Sequence, residues 1–145
     1  MASFNLFNKF LSQLANGGYN LGSDDLKFAL TNTAPTAATD TVFDPITKHQ
    51  PPAAANGYTT GGHAATIDSS AESGGTYTLA CTTDVVITAT AGGIGPFRYV
   101  ILYDDTSATD MLIGYWDYGS SITLAAGENF TIDVTASLLT IAAAT

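Results

Sequence analysis

From Gly57 onward the chain consists of short strand-like runs separated by turn residues, and this spacing limits the fold more than any other sequence feature. The runs are rich in alternating apolar and β-branched residues, which favour a pleated strand over a helix. Short strands at regular spacing with turn signals between them are typical of antiparallel sandwiches and barrels. We therefore predict a single mainly β domain over residues 19–145, with an antiparallel β-sandwich or jelly-roll-like fold.

The order of the runs also predicts which strands pair. Three hairpins are expected, joining 76–81 to 84–90, 97–103 to 111–118, and 121–124 to 129–135. Further strands are predicted over 26–31, 64–68 and 138–142. The valine and isoleucine residues at 85–87 indicate a strand that is buried on both faces.

Residues 1–18 follow a different period. Phe4, Phe7, Leu11 and Leu14 recur at helical spacing, and Ser3 is a possible N-cap, so the pattern predicts one short amphipathic helix. A helix of this length is marginal in isolation and has to dock against something to persist. It either covers one end of its own domain or lies on a neighbouring subunit, and in the second case residues 1–18 form a docking element.

A long proline-rich loop, residues 32–56, follows the first predicted strand; we call this segment the arm. Pro35, Pro45, Pro51 and Pro52 all lie in it. Loops of this length are usually functional or disordered, so the arm is either an interaction element or a passive excursion. Together with the helix it supplies the residues expected at interfaces. These are Phe4, Phe7, Leu11, Val42, Phe43, Ile46, Pro51 and Pro52.

Charge excludes several classes of function. Only 12% of residues are charged, and 13 acidic residues against 4 basic ones give a net charge of −9. Nucleic-acid binders need basic residues to neutralise phosphates, so no nucleic-acid partner is expected. No apolar run approaches the roughly 18 residues of a membrane span, and the N-terminus lacks the basic region of a signal peptide, so no membrane partner is expected either. We expect synthesis in a cytoplasm and a Thr-, Ser-, Gly- and Ala-rich surface that contacts other proteins.

The sequence contains no recognisable catalytic or cofactor-binding motif. No lysine follows a glycine-rich stretch as a phosphate-binding loop requires, and there is no Gly-x-Ser-x-Gly elbow. His49, His63 and Cys81 are too few and too scattered for a convincing zinc site. Cys81 is interpreted as a small buried apolar residue. We therefore expect no enzyme activity, no cofactor and no metal.

Four carboxylates near one predicted hairpin leave alternatives open. Asp104, Asp105 and Asp110 lie in its turn and Asp117 in its second strand. Acidic residues at turns are most often solvated turn formers. The same group could hold Ca²⁺ or supply a glycosidase pair, although the spacing is not that of an EF-hand.

Aromatic residues concentrate on the strands of that hairpin. Alternation predicts Phe97 and Tyr99 on one face of their strand and Val100 on the other. Residues 115–118 are interpreted as cross-strand packing residues, with carbohydrate stacking as the alternative. Gly114 leaves room for an aromatic ring from the next strand to lie over the backbone.

The one arginine, Arg98, lies in the first strand of the same hairpin. Few other cations are available to the 13 carboxylates of the chain. We therefore expect Arg98 to pair with a carboxylate, either inside the fold or at an interface.

Six motifs are shared, as a set, with a known group of proteins. With x for any residue, they are MASFNxF (1–7), NLGSDxLK (20–27), ALTNTAP (29–35), NGYTxGG (56–62), GPFRY (95–99) and LIGYWDYGSSITL (112–124). Together they resemble small virion structural proteins of tailed bacteriophages. The resemblance covers most of the chain, with gaps at 36–55 and 63–94.

The resemblance implies a role without catalytic residues. The most similar role is that of a capsid decoration or cement protein, which binds the outer capsid as an oligomer and clamps the shell. The implied partners are further copies of the chain, as a homo-oligomer with a trimer favoured, and the phage major capsid protein. The implied location is the capsid exterior of the virion. The alternative is a tail component, such as a fibre, baseplate or host-glycan-binding module.

Overall fold

The computed structural model describes residues 2–53, 55–134 and 137–143. The chain is mainly β, with 43% strand and 6% helix, and the strand pairs are antiparallel as predicted. In chain order the elements are β1 (Ser3–Leu6), α1 (Asn8–Ala15), β2 (Leu26–Thr31), β3 (His63–Ala64), β4 (Ser69–Ser73), β5 (Thr76–Ala80), β6 (Val85–Thr88), β7 (Ile94–Asp104), β8 (Met111–Leu124), β9 (Asn129–Ile132) and β10 (Leu139–Ala142).

The strands of the described residues form three sheets. The largest has the order β1-β8-β7-β2-β3, and the smaller ones have the orders β10-β5-β4 and β6-β9. One face of the five-stranded sheet packs on both smaller sheets, which gives the predicted sandwich-like arrangement. Its core joins Phe28, Val100 and Ile113 of the large sheet to Leu79 of β5 and Ile87 of β6.

The opposite face of the five-stranded sheet is also apolar. Ala29, Ile101, Tyr103 and Leu112 form a second buried cluster there, together with Phe7 and Phe43. A sheet that is apolar on both faces needs a cover on both. The second cover consists of Phe7, just before α1, and part of the arm.

Strand pairing agrees with the sequence in the centre of the sheet and differs outside it. The hairpin of β7 with β8 is confirmed. The other two predicted hairpins are wrong, because β5 pairs with β4 and β10, whereas β6 pairs with β9. The run 121–124 is the end of β8 rather than a separate strand. Nor is β6 buried on both faces, since Val86 is 54% exposed.

The side-chain faces of β7 also differ from simple alternation. Phe97 joins the same core as Val100, with its ring 4.9 Å from that of Phe130. Tyr99 instead meets Tyr115, a residue packed against the opposite face. Register shifts relative to β8 occur on both sides of Phe97, and such irregularities change which face a side chain occupies.

The N-terminal segment begins as a strand rather than as a helix. Ser3–Leu6 pair with β8, and the helix begins at Asn8 with Phe7 in the N-cap position, where no side-chain cap bond forms. The predicted cap at Ser3 is therefore wrong. Phe7 and Phe10 are fully buried, so the boundary expected after residue 18 lies inside one packed unit. Of the two roles predicted for this segment, these contacts support the one in which it covers part of its own domain.

The contact between Phe4 and Gly114 explains why the N-terminal segment extends along β8. A Cβ atom built on Gly114 would lie 2.4 Å from Cζ of Phe4 and 2.9 Å from the backbone oxygen of Asn5. The Phe4 ring also packs against Trp116, with centroids 4.5 Å apart. This confirms that Gly114 lets an aromatic ring approach the backbone, and β1 supplies that ring.

Replacing Gly114 by alanine tests this contact. We expect Gly114→Ala to lower the free energy of unfolding by about 1–3 kcal/mol, because the added methyl overpacks a filled site. Urea denaturation of both proteins measures the difference. The matched experiment repeats the change in a Phe4→Ala background, where the ring is gone and the penalty shrinks. An equal penalty in both backgrounds would show that the Phe4 ring is not the obstacle.

Candidate interaction surface

The arm is anchored to the large sheet through Phe43. The Phe43 ring stacks on Tyr103 of β7, with centroids 4.5 Å apart and an interplanar angle of 17°. Its amide donates to the Asp110 carbonyl at 2.7 Å, and the Leu112 amide donates to the Thr41 carbonyl at 3.1 Å. These bonds flank an isolated bridge between Val42 and Met111. This part of the arm therefore lies along β8 with the Phe43 side chain pointing into the second cluster.

A buried polar network holds the next part of the arm in a closed loop. His49 is 1% exposed, and its Nε2 lies 3.2 Å from Oδ2 of Asp40. The Asp44 amide donates to Nδ1 of His49 at 3.1 Å. Lys48 forms an ion pair with the other oxygen of Asp40. The Thr36 amide donates to Asp40 at 2.7 Å, so one carboxylate ties three parts of the arm together.

The ionisation states of Asp40 and His49, the two buried residues of this network, follow from these contacts. Burial of Asp40 opposes its charge, but the bonds from Lys48, the Thr36 amide and His49 outweigh burial and lower its pKa below the usual range. Burial is the largest influence on His49 and lowers its pKa below 6.5, although Asp40 acts in the opposite direction. At neutral pH the network therefore contains an ionised Asp40 carboxylate and a neutral His49 imidazole.

The structure divides the predicted interface residues by exposure. Phe7, Phe43 and Pro52 are buried within their own chain, so for these three the prediction needs correction: they support the fold and offer no surface. Phe4 and Pro51 are half-buried. Leu11, Val42 and Ile46 are 51%, 38% and 78% exposed.

The three exposed residues belong to segments that meet around Met111. Val42 is bridged to Met111 through the backbone, and Ile46 follows four positions along the arm. On the helix, the side-chain amide of Gln13 donates to the Met111 sulfur at 3.3 Å. Leu11, two positions earlier, does not share that face of α1. The Asn8 amide also donates to the Ala37 carbonyl of the arm at 2.9 Å. We call Leu11, Val42 and Ile46 the apolar patch.

A groove that the sequence did not reveal runs beside β1. It has a volume of about 560 Å³ and lies between Phe4 and Leu6 on one side and 137–140 on the other. The described lining residues are all uncharged. No sequence signal pointed to it, because the groove forms between strands that are far apart in the chain.

The carboxylates of the β7–β8 turn have structural roles. Asp104 is 1% exposed and accepts the amides of Thr106 and Ser107 at 2.9 and 3.2 Å. It is a turn former as expected, but it is buried rather than solvated, and burial raises its pKa. Asp105 pairs with Lys27 at 2.6 Å. Within residues 2–53, 55–134 and 137–143, no group of three or more His, Cys, Asp or Glu residues could hold a metal ion.

Arg98 pairs with a carboxylate of its own chain, which is one of the two alternatives that the sequence left open. Its Nε and one terminal nitrogen donate to the two oxygens of Asp117 at 2.7 and 2.9 Å. Both side chains are about one-third exposed. This pair removes Asp117 from the acidic group at the turn, because its oxygens are already engaged.

Trp116 is used inside the fold rather than as a flat exposed platform. Its ring centroid lies 4.5 Å from that of Phe4 and 5.8 Å from that of Phe28. Such contacts are the cross-strand packing that the sequence favoured over carbohydrate stacking.

Cys81 is fully buried, as expected. Burial raises the pKa of its thiol to about 11. Very little thiolate is therefore present at neutral pH, and the thiolate is the reactive form of cysteine.

Comparisons with protein-family models, with curated proteins and with solved structures find no match to this chain. No helix in the described part of the chain is long and apolar enough to cross a membrane. The functional argument therefore depends on the residues of the chain itself.

The anchor of the arm can be tested with one substitution. We expect Phe43→Ala to detach the arm, because the ring is 5% exposed and supplies its stacking contact with the sheet. Faster trypsin cleavage after Lys48 at neutral pH would report this detachment. Val42→Ala is the matched control, since that side chain is already 38% exposed and should leave the cleavage rate near that of the unchanged protein. Equal cleavage of all three proteins would show that Phe43 is not the anchor.

Proposed function

We propose that this chain is a structural protein of a tailed-phage virion, and that it acts as a capsid cement protein bound to the outer face of the shell. The observation that carries the proposal is the apolar patch. Three large apolar side chains, Leu11 of α1 and Val42 and Ile46 of the arm, are exposed on two segments that are hydrogen-bonded to each other through Asn8 and Ala37. Exposed apolar surface of this kind favours a protein partner over a small polar ligand.

The distribution of charge supports a partner that is recognised through apolar contacts. Three of the 4 basic residues are paired with carboxylates of the same chain: Lys27 with Asp105, Lys48 with Asp40, and Arg98 with Asp117. Their charges are therefore largely satisfied before any partner arrives. Charged rim contacts contribute mainly to association rate, whereas buried apolar anchors contribute most of the affinity.

The fold suits a clamp because its contact elements are supported by a packed scaffold. Phe7 and Phe43 are buried on one face of the large sheet, and each lies a few residues before an exposed member of the patch, Leu11 or Ile46. A surface that is held in its binding conformation loses little conformational entropy on docking. The motif resemblance to phage virion proteins supplies the choice of partner, the major capsid protein.

We further propose that the chain assembles with copies of itself, with a trimer favoured, on the capsid exterior. Closed symmetry would let each copy present its patch to an equivalent site on the shell. Purified particles separate this role from the tail alternative. A cement protein is expected in separated capsids at a copy number comparable to that of the major capsid protein. Presence only in separated tails, in small copy number, would contradict the cement role.

Placing a charge in the patch tests the proposed surface. We expect Ile46→Asp to weaken binding to capsids that lack this protein by about tenfold or more, because burying that side chain is worth about 1.5–3 kcal/mol. Val86→Asp is the matched control, since Val86 is also exposed but lies on β6, in one of the two small sheets that cover the opposite face of the large sheet. Co-sedimentation with capsids measures both. Unchanged binding of Ile46→Asp, or equal loss in both variants, would show that the patch is not the contact.

A further inference from the structure

His49 is held in one defined protonation state by its hydrogen bonds. The Asp44 amide donates to Nδ1, so that nitrogen has to carry a lone pair. The other nitrogen, Nε2, faces the carboxylate of Asp40, which only accepts hydrogen bonds when ionised, so Nε2 carries the proton. The closed arm therefore requires the neutral imidazole with its proton on Nε2.

Protonation of His49 is incompatible with this arrangement. A proton on Nδ1 would face the Asp44 N–H, so two donors would meet and the hydrogen bond would be lost. The imidazolium would also be a charge in a site that is 1% exposed. Burying an unmatched donor or a charge is costly unless a partner compensates for it.

The charged groups around the ring are already engaged with other partners. Asp40 faces Nε2, but its carboxylate already pairs with Lys48 and accepts the Thr36 amide. Asp44 directs its carboxylate to the amides of Ile46 and Thr47.

The sides of the imidazole that face the sheet meet aromatic rings. The Phe43 ring is stacked against the imidazole, with centroids 5.9 Å apart and an interplanar angle of 11°. Beyond Phe43 lies Tyr103 of β7, whose hydroxyl donates to the Gly61 carbonyl. Burial raises the pKa of Tyr103 far above its usual range, so its hydroxyl stays neutral.

We propose that protonation of His49 opens the arm: residues 40–49 leave the second face of the large sheet, and the Phe43 ring and the sheet residues beneath it become accessible. The arm is thus a pH-sensitive cover over an apolar surface. The proposal concerns the isolated chain and holds whether or not the protein binds capsids. The Thr31 hydroxyl, which donates to the Gln50 carbonyl at 3.0 Å, keeps the end of the moving segment tethered.

The direction of the pH dependence follows from linkage. Burial lowers the pKa of His49 in the closed arm below its ordinary value of 6.5, so the open arm binds the proton more tightly. The closed state has its full stability above pH 6.5 and loses it as the pH falls below 6.5 towards the lowered pKa. Within that window the closing equilibrium falls up to about tenfold per pH unit.

Amide hydrogen exchange of the full chain tests the proposal. Protection factors of peptides covering 40–50, corrected for intrinsic exchange rates, should fall by about tenfold between about pH 7.5 and about pH 5. Peptides from β7 and from residues 113–124 of β8 should keep their protection, because neither contains a histidine and their strand bonds run to β1, β2 and β7 or β8. The Leu112 amide is left out of this reference because it donates to the Thr41 carbonyl of the moving segment. Constant protection of 40–50 across this range would overturn the proposal.

Two variants separate His49 from other titrating groups. His49→Asn keeps an oxygen acceptor near the position of Nδ1 and cannot be protonated, so the pH-dependent loss of protection should disappear. His63→Gln is the matched control. It removes the other histidine, whose pKa is also lowered by burial, and should leave the transition intact. Retention of the transition in His49→Asn, or its loss in His63→Gln, would contradict the assignment.

Imidazole nitrogen NMR of the unchanged protein gives a readout that does not depend on how well a variant folds. We expect a neutral ring protonated on Nε2 at about pH 7.5, and a His49 titration that coincides with the shift of the Asp44 amide. A His49 that becomes charged while 40–50 stays protected would overturn the proposal, whatever the His49→Asn variant does.

Discussion

The pairing of β7 with β8 is the interaction on which the rest of the structure depends. These two strands form the centre of the large sheet, and their side chains are apolar on both faces. One face is covered by the two smaller sheets, as in any sandwich. The other face has no sheet to cover it among the described residues, and Phe7 and Phe43 take that place. The arm is thus part of the hydrophobic core as well as part of the surface.

The elements that sequence reasoning predicted well are those whose signal is local. The strands 26–31, 97–103, 111–118 and 138–142 are runs of apolar, β-branched and aromatic residues, and each appears in the structure. Partner choice is a long-range property, and for this reason β5, β6 and β9 pair differently from the prediction. The five residues of β4 are all exposed and polar or small, so that strand had no apolar signal to detect.

For the candidate surface, the same distinction applies. Val42 and Ile46 stood out as apolar residues in a polar loop, and the structure exposes both. Phe43 belonged to the same run, yet its neighbours on the sheet decide that it is buried. Asp40, Lys48 and His49 have no recognisable spacing in the sequence, because a hydrogen-bond network around one carboxylate follows no periodic pattern. Phe4 at helical spacing from Phe7 was misleading, since the space above Gly114 lies in a distant strand.

The contact between Phe4 and Gly114 also fixes how β1 is aligned on its neighbour. Gly114 lies opposite Leu6, with the Phe4 ring folded over it from two residues away. If β1 moved by one residue along β8, the ring would meet a position that already carries a side chain, either Ile113 or Tyr115. The lack of a side chain at residue 114 therefore fixes the register of β1, an edge strand only four residues long. A strand that short has few backbone hydrogen bonds to determine its register. The packing of the Phe4 ring over Gly114 determines it instead.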